Sequence, residues 1–154
     1  MKGSHLPLPD LNTSGDLPPG IHRASIDEIV ARFARGTNRR HLLGSRLERI
    51  YHLARLTGAV GRFIVFGSLI TNKPEPNDVD IFLLMEDSFD AGTLRGEARL
   101  LFDHAIAQAH FGASVFWQRR LSVFGDEDTA LSDWGIKRDG GVRGIVEIVP
   151  EDLQ

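Results

Sequence analysis

The chain has 154 residues, 42% of them hydrophobic and 25% charged, which predicts one domain able to bury a core. Its 18 Lys plus Arg against 21 Asp plus Glu give a formal net charge of −3, which excludes a global electrostatic pull toward nucleic acid or an anionic membrane. Cysteine is absent, so disulfides, Cys-ligated zinc and thiol catalysis are excluded. The six histidines lack the Glu-x-x-His or His-x-x-x-His spacing of a metal site. No apolar run approaches the roughly 18 residues of a membrane span, and no signal-type apolar stretch opens the chain, so the expectation is a cytoplasmic protein with no membrane partner.

In chain order, residues 1–24 carry four of the seven prolines together with several Gly, Ser, Asn and Asp, and read as an extended arm ahead of a domain at 25–154. Ser25-Ile26-Asp27-Glu28 has the form of a capping box, followed by Ile29, Val30 and Phe33, which predicts a helix over about 26–35. Leu42, Leu43, Leu47, Ile50, Leu53, Ala54 and Leu56 recur near the helical period, which predicts a second helix over 39–57, with Gly58 as its stop. Arg39, Arg40, Arg46, Arg49 and Arg55 form a basic face on it, either solvated or able to touch an anionic partner.

Residues 61–85 then read GRFIVFGSLITNKPEPNDVDIFLLM: an apolar run ending in Gly67-Ser68, a polar loop, and Asp78-Val79-Asp80 opening a second apolar run. In a strand, residues i and i+2 share a face, so Asp78 and Asp80 point one way and Val79 the other. Two carboxylates suit a hard divalent cation, which commonly also binds substrate phosphate. Gly67 lacks Cβ and would admit close backbone approach of a polyphosphate; Ser68 offers a hydroxyl and an amide at the start of a short helix. The plain alternative reads PEPND as a turn, with Asp78 capping it and Asp80 on a solvated face.

Further along, Leu94, Ala98, Leu101, Phe102, Ala105 and Ile106 predict a core-facing helix over 93–110, with a strand at 113–117 after it. Asp126, Glu127 and Asp128 read as a turn and helix start, where acids meet the positive end of a helix. Asp139-Gly140-Gly141 reads as a turn within a hairpin arm at 137–149, whose final segment, 144–149, is a strand. This order of elements predicts an α+β fold (an α/β sandwich) with a mixed sheet and helices mainly on one face.

The hydrophobic strand, Gly67-Ser68, the loop and Asp78-Val79-Asp80 together resemble the DNA polymerase β-like nucleotidyltransferase superfamily, in particular its minimal bacterial domains. The resemblance covers about residues 60–86. It implies a nucleotidyltransferase-like fold, two Mg²⁺ ions held by Asp78 and Asp80, and a nucleoside triphosphate gripped by Gly67 and Ser68. It also implies transfer of a nucleoside monophosphate, most often AMP, to a hydroxyl of a protein, RNA or small molecule. A domain of this size could serve as the antitoxin of a toxin–antitoxin pair.

Such enzymes add a third acid from a later strand, yet residues 111–118 contain none. Glu147, alternating with Val146 and Ile148, is the candidate for that ligand; a solvated strand residue is the plain alternative. Lys73 in the motif loop, and Lys137, Arg138 and Arg143 near the hairpin, are the candidate triphosphate or acceptor contacts. Trp117 and Trp134 are candidates for stacking bases or for core packing. The alternative function is a catalytically inactive domain of the same fold that binds nucleotide or a partner, and a homo-oligomer is left open.

Overall fold

The computed structural model describes residues 7–150, so the first six residues of the expected arm, and the last four of the chain, lie outside the described residues. Ser25 caps the first helix, α1 (Ile26–Phe33), as its sequence predicts. Its Oγ accepts from the Glu28 N–H at 3.1 Å, and its own N–H donates to Glu28 Oε1 at 3.1 Å. Thr37 caps the long helix α2 (Asn38–Leu56), and Gly58, with φ +69°, turns the chain out of it.

The helix expected over 93–110 is broken in two. Gly96 has φ +69° and precedes the single turn α3 (Glu97–Leu100), while Asp103 leaves the helical path to cap α4 (His104–Phe111), accepting from the Ile106 N–H at 3.1 Å. An Asp inside an apolar helical pattern competes for its own backbone, and here that local bond wins. Leu101 is buried as expected, but Ala105 and Ile106 are exposed.

Five strands form one mixed sheet in the order β1-β5-β2-β3-β4. They are β1 (Ile21–Ala24), β2 (Val60–Phe66), β3 (Val79–Met85), β4 (Ala113–Arg119) and β5 (Ile145–Ile148). β2 runs antiparallel to both β3 and β5, whereas β1–β5 and β3–β4 are parallel. The fold is the expected α+β arrangement. The end of the expected extended arm, however, pairs with β5 as an edge strand (Ile21↔Ile145), a partnership no local signal announces.

The larger core lies on one face, where Ile29 and Phe33 of α1, Leu43, Leu47 and Ile50 of α2, and Ala107 and Phe111 of α4 pack on Phe63, Val65, Ile81, Leu83 and Val115. The opposite face carries a smaller cluster of Ile64, Phe82, Leu84 and Ile145 under Leu131, which belongs to the short helix α5 (Glu127–Ser132). Helices thus cover chiefly one face. Among the described residues no helix is long and apolar enough to cross a membrane.

Arg40, read from the sequence as part of a basic surface face, is buried. Its guanidinium donates to the carbonyls of Phe33 (2.8 Å), Leu69 (2.8 Å), Thr71 (2.7 Å) and Lys73. Burial pushes its pKa down, opposed by the charge of Glu75. Arg39 and Thr37 add bonds to the Asn77 and Pro74 carbonyls, at 3.2 and 3.3 Å, so the start of α2 clamps the whole loop between β2 and β3. Arg49 pairs with Glu97, and Arg46 reaches the Gly112 carbonyl, leaving little of the expected basic face unengaged. Arg40→Ala orphans buried carbonyls and is expected to lower unfolding free energy by about 3 kcal/mol or more in urea titrations. Arg40→Lys is expected to recover little, because an ammonium cannot reproduce the planar fork.

Candidate functional site

At the end of β2 the chain turns at Gly67, with φ +84° and ψ −164°, a conformation that side chains rarely adopt. A Cβ there would also collide with Oδ2 of Asp80. The glycine therefore makes room first of all for a carboxylate. Ser68 opens only a three-residue 3₁₀ turn (Ser68–Ile70), so the expected helix start is too short to supply a dipole of any size. Leu69 and Ile70 anchor that turn in the core.

Asp78 sits immediately before β3 and Asp80 within it, while Val79 between them is fully buried on the helix-covered face. The two acids project together, as the period of two predicts. Asp80 faces Phe66 across β2 and Ser114 across β4. Ser114 Oγ donates to Asp78 Oδ2 at 3.1 Å. Burial, reinforced by the charge of Asp78 and a hydrogen bond with it, pushes the Asp80 carboxyl up to about 7, against a smaller opposing effect of Arg143. Burial and the neighbouring carboxylate thus disfavour the ionised form of Asp80, a repulsion that a cation would relieve.

A cavity of about 950 Å³ opens over the carboxylates. Gly67, Ser68 and Lys73 line it on the loop side, and Lys137, Arg138 and Arg143 on the other, so the structure gathers every predicted site residue but one. Two acids unforeseen from the sequence bear on it, one from behind its rim and one from its wall. Asp16, buried in the N-terminal arm, holds Lys137 Nζ at 3.3 Å and Arg143 Nη1 at 3.6 Å and so sets both cations at the rim. Asp133, at the start of a 3₁₀ turn after α5, supplies a third carboxylate to the cavity wall. Neither lies in a recognisable motif, and only the turn of Asp139-Gly140-Gly141, closed by the Lys137 N–H to Gly141 carbonyl bond (2.7 Å), hinted that this segment folds back.

Glu147 is the exception. Its Oε1 and Oε2 accept from Arg62 Nη2 (2.8 Å) and Nε (3.1 Å), and Arg23 Nε lies 3.4 Å away. The correction is one of strand order: β2 separates β5 from β3, and Glu147 pairs across from Ile64 rather than beside Asp80. Glu127 and Asp128 also bind Arg62, at 3.0 and 2.6 Å, and these bonds, with Glu147 foremost, hold its guanidinium pKa above the usual value. Asp126 caps α5 through the Thr129 N–H at 2.9 Å, as the sequence predicts, and that bond lowers its pKa.

Where a third acid from β4 would stand beside Asp80, the chain has Ser114. Among the described residues no three of His, Asp and Glu form a ready metal cluster. Two carboxylates, one of them short of a counter-charge, beside an open cavity do fit a hard divalent cation that takes its other ligands from water and substrate phosphate.

A mixed five-stranded sheet with paired carboxylates at the edge of a cation-rimmed cavity is the class of protein this fold and site define. The chain belongs to a family of unknown function, DUF6932, whose model matches residues 9–149. No curated protein and no solved structure gives a significant match.

Two outcomes test the site's energetics. Asp80 has a folded pKa above its unfolded value near 4, so the native state holds more protons between roughly pH 4 and 7, and stability falls as pH rises through that window. Asp80→Asn is accordingly expected to melt higher than the unsubstituted chain at pH 8, the difference vanishing toward pH 4, in calorimetric scans. Glu147→Gln is expected to cost about 2 kcal/mol of stability through Arg62 while leaving any cation binding at Asp78 and Asp80 intact.

Proposed function

We propose that the chain is a Mg²⁺-dependent nucleotidyltransferase of the DNA polymerase β-like type, moving a nucleoside monophosphate, AMP foremost, from a triphosphate to an acceptor hydroxyl. The observation that carries the reading is the convergence of Gly67, Ser68, Asp78 and Asp80 on one cavity whose opposite rim is cationic. Asp78 and Asp80 would hold the metal, with Ser114 orienting Asp78. When bound, Mg²⁺ supplies charge neutralisation at the phosphates and a lowered pKa for the attacking hydroxyl. Lys73, Lys137, Arg138 and Arg143 suit the triphosphate, whose negative charge would draw Lys137 and Arg143 partly away from Asp16. The acceptor oxygen bonds to the α-phosphorus as the bond to the β-phosphate breaks, pyrophosphate leaves, and the acceptor proton passes to a cavity carboxylate. The acceptor class is a protein, RNA or small-molecule hydroxyl, and a partner protein in a toxin–antitoxin pair is one form of it. A reaction fed by nucleoside triphosphates belongs in the cytoplasm.

A second reading, a catalytically silent domain that binds nucleotide or a partner protein and acts by occupancy, is favoured by Ser114 at the place of the third acid. Calorimetric titration of the four nucleoside triphosphates with Mg²⁺, against the Asp78→Asn, Asp80→Asn double variant, addresses both. Metal-dependent binding that the variant loses is expected. Binding without pyrophosphate release in the presence of candidate acceptors would favour the silent domain, and no binding at all would sink the enzyme reading.

A further inference from the structure

One row along the sheet from the carboxylates, the same face changes from acidic to aromatic. Phe82 follows Asp80 by two residues on β3, Phe116 follows Ser114 by two on β4, and the two phenylalanines are register partners. Phe66, the cross-strand partner of Asp80, completes the set. Trp134 lies among all three rings, with centroid distances of 4.9 Å to Phe82, 5.0 Å to Phe66 and 5.1 Å to Phe116. His104 stacks on Phe116 at 4.7 Å. Phe82 is buried beneath, but Phe66, Phe116 and Trp134 line the cavity itself, and Phe116 is 36% exposed.

The cluster therefore presents one exposed ring, Phe116, and two half-buried ones, Phe66 and Trp134, to the cavity, apolar surface that is costly to leave in water beside two carboxylates and a cationic rim. The other tryptophan has no such position. Trp117 packs edge-on against Phe89 and Phe102 on the helix-covered side and donates its Nε1–H to the Phe102 carbonyl at 3.1 Å.

We infer that Phe66, Phe116 and Trp134 form a stacking platform for the nucleobase of the nucleotide whose phosphates meet Asp78, Asp80 and the cationic rim. The inference rests on the proposed function and specifies its substrate. Phe116 lies one alternation step, roughly 7 Å, along the strand from the carboxylate row, a gap that a ribose spans, and Phe66 flanks Asp80 within that row. Polar side chains are few in the platform, so purines, with their larger faces, should be held more tightly than pyrimidines, with little dependence on hydrogen-bonding pattern.

The test compares Mg²⁺–tripolyphosphate with Mg²⁺–ATP, –GTP, –CTP and –UTP by calorimetry and by tryptophan fluorescence. ATP and GTP are expected to bind about tenfold or more tighter than tripolyphosphate and to quench the Trp117→Phe protein, whose emission comes from Trp134 alone. Trp134→Ala and, independently, the more conservative Phe116→Ala are expected to lose that base-dependent advantage while keeping tripolyphosphate affinity. Equal affinity for tripolyphosphate and all four nucleotides, with no Trp134 quenching, would overturn the platform and leave the phosphate and metal site standing. Failure of tripolyphosphate and nucleotides alike would overturn the proposed function and the platform with it.

Discussion

The Arg40 guanidinium, buried at the start of α2, donates to four backbone carbonyls, three of which (Leu69, Thr71 and Lys73) belong to the loop between the two halves of the acidic motif. Such carbonyls, folded under a helix, would otherwise lack partners, and no neutral side chain presents as many donors in one plane. On its outer side the same loop is held by the arm, through the Asn72 N–H to Gly15 carbonyl bond (3.0 Å) and the bridge between Asp16 and Thr71. The turn at Gly67-Ser68 is thereby fixed relative to β3. Because Asp16 also holds Lys137 and Arg143, the cations on the far rim are tied to the same scaffold.

Within this frame Asp80 is left with little electrostatic relief. Asp80 is crowded by Asp78 and by its own burial, and the nearest relief, Arg143, is already engaged by Asp16. A purely structural arrangement would have placed a cation between the acids, as the opposite end of the same sheet face does with Arg62 among Glu147, Glu127 and Asp128. The two acidic groups thus differ in kind: one is woven into an ion network with Arg62, and the other lies beside an open cavity, where a perturbed carboxylate is the physical basis of the proposed cation site.

The second sheet face therefore runs through three zones: carboxylates and Ser114 at the loop end, aromatic rings in the middle, and the arginine network beyond. Because α5 covers only part of this face, the first two zones open into the cavity. The thick helical layer on the other face supplies most of the core and leaves this side with the cavity.

The amino-acid sequence by itself determined the local features. Ser25 and Glu28 carry a capping box in their own spacing, the apolar repeat of α2 follows the helical period, and the alternation around Val79 sends both aspartates to one face. Alternation even placed Glu147 on the correct face, the one that Asp80 shares. Only tertiary structure decided which strand stands next to which, and with β2 between β5 and β3 the carboxylate of Glu147 meets Arg62 instead of the Asp78–Asp80 pair. The same holds for β1, whose partner lies at the other end of the chain, for Arg40, which looked like one more surface arginine, and for Asp16 and Asp133, which no motif marks. Periodicity reports the direction of a side chain relative to its own backbone; pairing, burial and counter-charge depend on segments distant in sequence, and these selected the residues that share the cavity.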